Sequence, residues 1–250
     1  SQPKKTVVIA GGSKVSDKLS VLKQFVHTGV KAIFIGGKMV NAFLLAQKSK
    51  SEIKPFDISD IPESLVHSNN EVNYDLVNEV GLAAEILDIS TEKKVNLIFP
   101  QDYKCVNEFK SPKYFIKTEL DFEKEIQLDL GPKTIENFKN TILSNGVENI
   151  LWNGPLGAYD HPTSSDYIEG SLELAKLLFE EALTNKNFSV VIGGGDSAAI
   201  LSKIGANQLK NLIRQSLEKQ LAAPINRDLI NLDFTVDDNY LLWNYLLSNF

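Results

Sequence analysis

A strand-like apolar run that breaks into three glycines and then an acid constrains this chain more than any other stretch. It reads Ser189-Val190-Val191-Ile192-Gly193-Gly194-Gly195-Asp196-Ser197-Ala198-Ala199. Consecutive glycines leave backbone N–H groups uncovered and admit positive φ. Where such a turn opens a helix, free amides and the helix dipole make a site for anions. Asp196 at the helix start either caps those amides or holds a Mg²⁺ that sits on a phosphate. A tight strand-to-helix turn with a capping acid is the plain alternative, and one such turn does not decide between them.

The same grammar recurs along the chain. Thr6-Val7-Val8-Ile9-Ala10 reads as a buried strand running into Gly11-Gly12-Ser13-Lys14. The helix after it carries Val15, Leu19, Leu22 and Val26 on one face and stops near Gly29. Lys14 and Lys18, four apart, share one side of its first turn. Ala32–Ile35 is a second strand followed by Gly36-Gly37, with a helix from Met39 to Gln47. Residues 48–70 are polar and read as a surface excursion. Val72, Leu76, Val80, Ala83 and Leu87 mark a long amphipathic helix before a third strand, Val95–Phe99. Residues 103–128 alternate only weakly and read as short strands or loop. Pro132 follows Leu130-Gly131 at a favoured first-turn position of the next helix. Asn149–Trp152 is a fourth strand that enters Asn153-Gly154-Pro155-Leu156-Gly157. A helix through Ile168, Leu172, Ala175 and Phe179 leads to the fifth strand, Phe188–Ile192.

Alternating strands and helices predict an α/β fold, a doubly wound and mostly parallel sheet with helices on both faces. Ligands of such sheets bind at the carboxyl ends of the strands, where all the glycine turns would converge. That points to a nucleotide cleft. Neither common nucleotide fingerprint is present: there is no G-x-x-x-x-G-K-[ST], and no G-x-G-x-x-G follows a strand.

Composition excludes several function classes. A net charge of −6 argues against nucleic acid as a partner. Arg214 and Arg227 are the only arginines, so arginine clamps on phosphate are scarce. The single cysteine, Cys105, reads as an inert half-buried thiol and fits a reducing compartment inside the cell, cytosol or an organelle matrix such as the mitochondrion. No apolar run is long enough to span a membrane and no signal peptide is visible. His27, His67 and His161 lack metal-ligand spacing and read as structural or surface residues. No Ser-His-Asp or paired-carboxylate arrangement stands out.

Taken together, Gly11-Gly12-Ser13-Lys14-Val15-Ser16-Asp17-Lys18, Ile35-Gly36-Gly37-Lys38-Met39, Leu128-Asp129-Leu130-Gly131-Pro132, Trp152–Gly157 and Gly193–Ala198 resemble, in that order, the C-terminal nucleotide-binding domain of phosphoglycerate kinases. The resemblance covers roughly residues 3 to 205 and implies a Rossmann-like domain with MgATP or MgADP as its ligand. It implies that Lys14 and Lys18 approach the nucleotide phosphates and the phosphoryl group in flight, as catalytic residues in an active enzyme. Asn153 would lie near the phosphates, Asp196 would hold Mg²⁺ with Ser197 beside it, and Gly12, Gly36 and Gly37 would surround the adenine. Gly193, Gly194 and Gly195 would belong to the same nucleotide site. Phosphoryl transfer relies on positioning and charge neutralisation, which suits lysines, a metal and free amides.

Departures from the family shape the functional expectation. Lys38 stands where the family has a third glycine, and a side chain there would crowd the adenine pocket. The family's ribose-binding glutamate aligns with Asp160, one methylene shorter. Nothing after Gly205 matches the late Ser-Thr-Gly-Gly-Gly loop of the family. Residues 206–250 read instead as a helix near 207–221, a strand at Leu229–Val236 and an apolar helix through Leu241, Leu242, Tyr245 and Leu246, a divergent segment packing on or extending the domain of residues 1–205. Ser1 falls about where the family's second domain begins, so the N-terminal domain with its 3-phosphoglycerate pocket is absent from this sequence. Without an acceptor site there is no near-attack arrangement. The expectation is a non-catalytic, accessory or structural subunit with protein partners, a pseudoenzyme that retains nucleotide binding or has lost it. The alternative is the ATP/ADP half of an active kinase, completed by a separate N-terminal domain.

Overall fold

The computed structural model describes residues 3–50, 65, 67–68 and 71–202, without Lys14, Phe122, Asn145, Ser164 and Ser165. The expectations for Lys14, for most of 48–70 and for 206–250 lie outside these residues. Ten strands and six helices follow in order: β1 Thr6–Ala10, α1 Val15–Thr28, β2 Ala32–Ile35, α2 Val40–Lys50, β3 His67–Ser68, β4 Glu71–Val72, α3 Tyr74–Lys93, β5 Asn96–Ile98, β6 Tyr103–Val106, β7 Phe115–Lys117, β8 Ile126–Leu130, α4 Pro132–Ile142, β9 Asn149–Asn153, α5 Glu169–Thr184, β10 Ser189–Gly193 and α6 Gly195–Ser202.

The five expected strands form one parallel sheet in the order β10-β9-β1-β2-β5. Its register aligns the carboxyl ends: Ala10 pairs with both Ile35 and Asn153, and Asn153 pairs with Gly193. β10, β9, β1 and β2 therefore run out of sheet at the same level, and their glycine turns begin side by side.

Side chains alternate across the sheet. Val7, Ile9, Phe34 and Trp152 join a core with Phe138 of α4 and Leu174, Leu178 and Phe179 of α5. Phe34 and Phe138 stack with ring centroids 4.2 Å apart. Val8, Ala10, Ile33 and Ile35 pack on the opposite face under α1, α2 and α3. Each fully buried aliphatic or aromatic side chain contributes about 1.5–3 kcal/mol, so the two layers supply most of the drive to fold.

Among the described residues, cover on the second face stops short of one edge. Over β9 and β10, on the α1 side, a groove of about 230 Å³ is lined by residues including Val21, Phe25, Leu151 and Val191. Val21 is 54% and Val191 57% exposed there. Parallel strands are ordinarily covered on both faces.

Residues 103–128, read as short strands or loop, hold β6, β7 and the start of β8. They form an antiparallel sheet in the order β7-β6-β8, with a bulge between Lys104 and Cys105. Asp102, buried before β6, fastens this sheet to α4: its carboxylate accepts from the Thr134 amide at 2.8 Å and the Lys133 amide at 3.1 Å. Cys105 is wholly buried rather than half-buried, and burial pushes its thiol up to about 12, which keeps it inert. The long helix starts at Tyr74 rather than Val72, because Asn73 caps it by accepting from the Leu76 amide at 3.2 Å. Among the described residues no helix is long and apolar enough to cross a membrane.

Candidate functional site

Three of the glycine turns touch through bare backbone. Gly11 donates its amide to Asn153 O at 3.0 Å, Lys38 donates to Gly12 O at 3.1 Å, and Gly37 donates to Leu156 O at 3.1 Å. Gly12 sits at φ +101° and Gly154 at φ +90°, the left-handed region that favours glycine. A Cβ on Gly11 would collide with the carbonyl of Pro155, and one on Gly154 with the carbonyl of Gly11. Two side chains fix the turns from below: Trp152 Nε1 donates to Gly154 O at 2.7 Å, and Gln127 Nε2 donates to Gly37 O at 2.6 Å.

Lys18 reaches over this floor from the first turn of α1. Its ammonium donates to Gly11 O at 2.6 Å and stands where a side chain on Gly12 or Gly154 would be. Asn153 is exposed, with its side-chain amide beside Gly193 and Gly194. The Gly193-Gly194-Gly195 turn feeds α6, whose second residue, Asp196, is exposed and accepts from the Tyr159 hydroxyl at 3.0 Å. Ser197 is buried, and its hydroxyl accepts from the Gly154 amide at 2.8 Å. It ties α6 to the turn after β9.

A cleft of about 1070 Å³ opens beside the turns. Gly12, Gly37, Asp160 and Asp196 line it, with Leu45, Leu76 and Leu156 among its apolar wall residues. Lys18, Asn153 and Gly193 border the smaller groove instead. Gly36 is buried against Leu156, and Gly194 and Gly195 are exposed at the rim of the last turn. Of the expected site residues, Lys14 alone falls outside the described chain.

Charge in the cleft is lopsided. Among the described residues that line it, Asp75, Glu79, Glu125, Asp160 and Asp196 stand against one lysine, Lys38. Burial raises the Glu79 carboxyl above its ordinary range, although the Ser16 hydroxyl 3.2 Å away and the Lys38 ammonium pull it back down. Among the described residues no group of three or more His, Cys, Asp or Glu side chains could hold a metal ion by itself. What the arrangement can do is offer the Lys18 ammonium to an anion at the strand ends, with the Asp196 carboxylate placed for a cation that the anion brings.

Sequence reading missed Gln127 and Tyr159. Gln127 lies in the poorly patterned 103–128 stretch and gave no signal. Tyr159, next to the Asn153–Gly157 motif, could have been suspected from its position.

Fold and site together define a doubly wound α/β domain with a glycine-floored cleft at the carboxyl ends of its parallel strands. The family model for phosphoglycerate kinase matches residues 1–213, and the chain belongs to that family. The phosphoglycerate kinase of Thermosipho africanus is 35% identical over 203 residues, covering 80% of this chain and 44% of that protein. That of Dictyoglomus turgidum is 33% identical over 201 residues, 80% of this chain and 43% of the other. The structure of phosphoglycerate kinase from Coxiella burnetii superposes with a TM-score of 0.59 at 25% identity, over 84% of this chain and 47% of its own. The chain thus spans less than half the length of the relatives it matches.

Proposed function

We propose that this chain is a nucleotide-binding domain of the phosphoglycerate kinase type that holds MgADP or MgATP and does not transfer phosphoryl groups on its own, serving as an accessory subunit. The observation that carries nucleotide binding is the meeting of Gly12, Gly154 and the Lys18 ammonium at the strand ends, beside a cleft of about 1070 Å³. In this reading Lys18, Asn153 and Gly193 to Gly195 meet the phosphates, and Gly12, Gly37, Asp160 and the apolar wall meet base and ribose. Gly36 and Ser197 act one layer further in, by packing on Leu156 and by holding Gly154. The metal fits: Asp196 is exposed, lines the cleft and opens a helix, and a nucleotide-bound Mg²⁺ needs only one or two carboxylates. When bound, Mg²⁺ would neutralise phosphate charge.

A second reading remains attached to one observation. The chain matches less than half of its relatives' length, so the same nucleotide half would serve an active kinase if an acceptor domain were joined to it. We also assign residues 206–250 to the same domain, as the cover of the bare groove over β9 and β10. Leu241, Leu242, Trp243, Tyr245 and Leu246 carry apolar side chains of the kind that would cover Val21, Phe25 and Val191, which line that groove.

Calorimetric titration with MgADP tests the reading. Micromolar binding that is lost in Asp196→Ala, with no phosphoryl transfer to 3-phosphoglycerate, is expected. Absence of heat and of any thermal shift at millimolar MgADP would overturn nucleotide binding. Turnover by the chain alone would overturn the accessory role.

A further inference from the structure

The hydroxyl of Tyr159 lies 3.0 Å from Oδ1 of Asp196, and both residues line the cleft. Tyr159 belongs to the loop after β9, and Asp196 to the first turn of α6. The loop is not free to drift. The Ala158 amide donates to Leu128 O of β8 at 2.7 Å, the Tyr159 amide to Gly157 O at 3.0 Å and the His161 amide to Ala158 O at 3.0 Å. Asp196 stands next to three glycines and is exposed, so nothing in its own turn restrains its carboxylate. Over Gly195 an added Cβ would meet open space.

From this geometry we infer that Tyr159 is a positioning residue for the cation site: its hydroxyl holds Oδ1 of Asp196 so that Oδ2 is presented to a nucleotide-borne divalent cation. The inference rests on the assignment of Asp196 as the metal-holding carboxylate. Among the described residues Oδ2 has no hydrogen-bond partner, so the tether takes one oxygen and leaves the other. A phenol is suited to the task. It donates a neutral hydrogen bond and brings no positive charge that would compete with the cation. Partners that orient a metal ligand through a hydrogen bond typically carry about 10- to 100-fold in metal affinity. Tyr159 touches neither metal nor phosphate in this arrangement. It acts only through Asp196.

Tyr159→Phe removes one oxygen and keeps the ring. Titrating wild type and variant with ADP, once in excess Mg²⁺ and once in EDTA, separates the metal-dependent part of binding from the rest. The expected result is a loss of about tenfold or more for MgADP and no change for metal-free ADP. Mn²⁺ titration in the presence of ADP, followed by paramagnetic resonance, should show the same loss. In an Asp196→Ala background Tyr159→Phe should change nothing further. Equal MgADP affinity in wild type and Tyr159→Phe would overturn the inference while leaving the nucleotide site standing. Equal losses with and without Mg²⁺ would also overturn it, because the hydroxyl would then serve the nucleotide or the loop. A wild type that binds no nucleotide would remove both the site and the role.

Discussion

The Lys18 ammonium donates to the carbonyl oxygen of Gly11 at 2.6 Å, in the space that a side chain on Gly12 would need. Lysine and glycine are therefore coupled: the bare Cα at 12 is what lets the cation lie over the strand ends. Gly12→Ala should cost about 1–3 kcal/mol, because φ +101° strains any L side chain. It should also weaken MgADP binding by displacing Lys18. Lys18→Met should weaken binding about tenfold or more with little loss of stability. Urea unfolding paired with calorimetry separates the two effects, and a Gly12→Ala protein as stable as wild type would sink the coupling.

Ser197→Ala should destabilise by about 1–3 kcal/mol. The Gly154 amide, buried with the serine, loses its acceptor and finds no water to replace it. Thermal unfolding reads this directly. A change within about 0.5 kcal/mol would mean that the bond carries nothing.

Asp129 makes stability depend on pH. The residue is buried, Oδ2 accepts from the Gly170 amide at 3.0 Å, and Oδ1 has no hydrogen-bond partner. Burial pushes the carboxyl up to about 7, against the pull of the Gly170 and Leu130 amides and the Lys104 ammonium and with help from the Glu169 carboxylate. An unfolded Asp titrates near about 3.9, so the native state binds the extra proton between the two values. The corresponding stability is full below about 4 and is lost as pH rises through about 7. Wild type should therefore lose on the order of 1 kcal/mol or more between pH 5 and pH 8 relative to Asp129→Asn. Parallel pH profiles of the two proteins would contradict this.

Val191→Asp in the full chain tests the cover assigned to residues 206–250. If the groove is covered, a buried charge should cost about 1–3 kcal/mol in urea unfolding. If Val191 is plain surface, the change should stay within about 0.5 kcal/mol. A rise in oligomer size that Val191→Asp abolishes would assign the groove to a second copy instead.

Much of the architecture was legible because its signals are local. The strands at Val7–Ala10, Ala32–Ile35 and Asn149–Trp152 are short apolar runs that end in glycine, and their shared register puts the turns in one row. The small antiparallel sheet was not legible, since β6 is buried at all four positions and shows no alternation. Lys104 and Asp129 look like surface charges in sequence yet are buried. The Lys104 ammonium bonds Glu169, donates to Asp166 O at 2.9 Å and lies 4.8 Å from the centre of the Tyr114 ring. Such partners come from distant parts of the chain and no window of sequence displays them. The bond from Tyr159 to Asp196 is of the same kind.

Backbone contact among the turns at Gly11, Gly37 and Gly154 has a consequence for how the site can vary. The floor of the site consists of main-chain atoms placed by strand register and by the Trp152, Gln127 and Ser197 side chains beneath it. The floor contacts themselves run between main-chain atoms, with no part taken by the side chains of Lys38 and Asp160. Mutational drift at the rim then changes which ligand is welcome, while the seat itself persists. A lineage could retune, silence or restore such a domain one side chain at a time without refolding it.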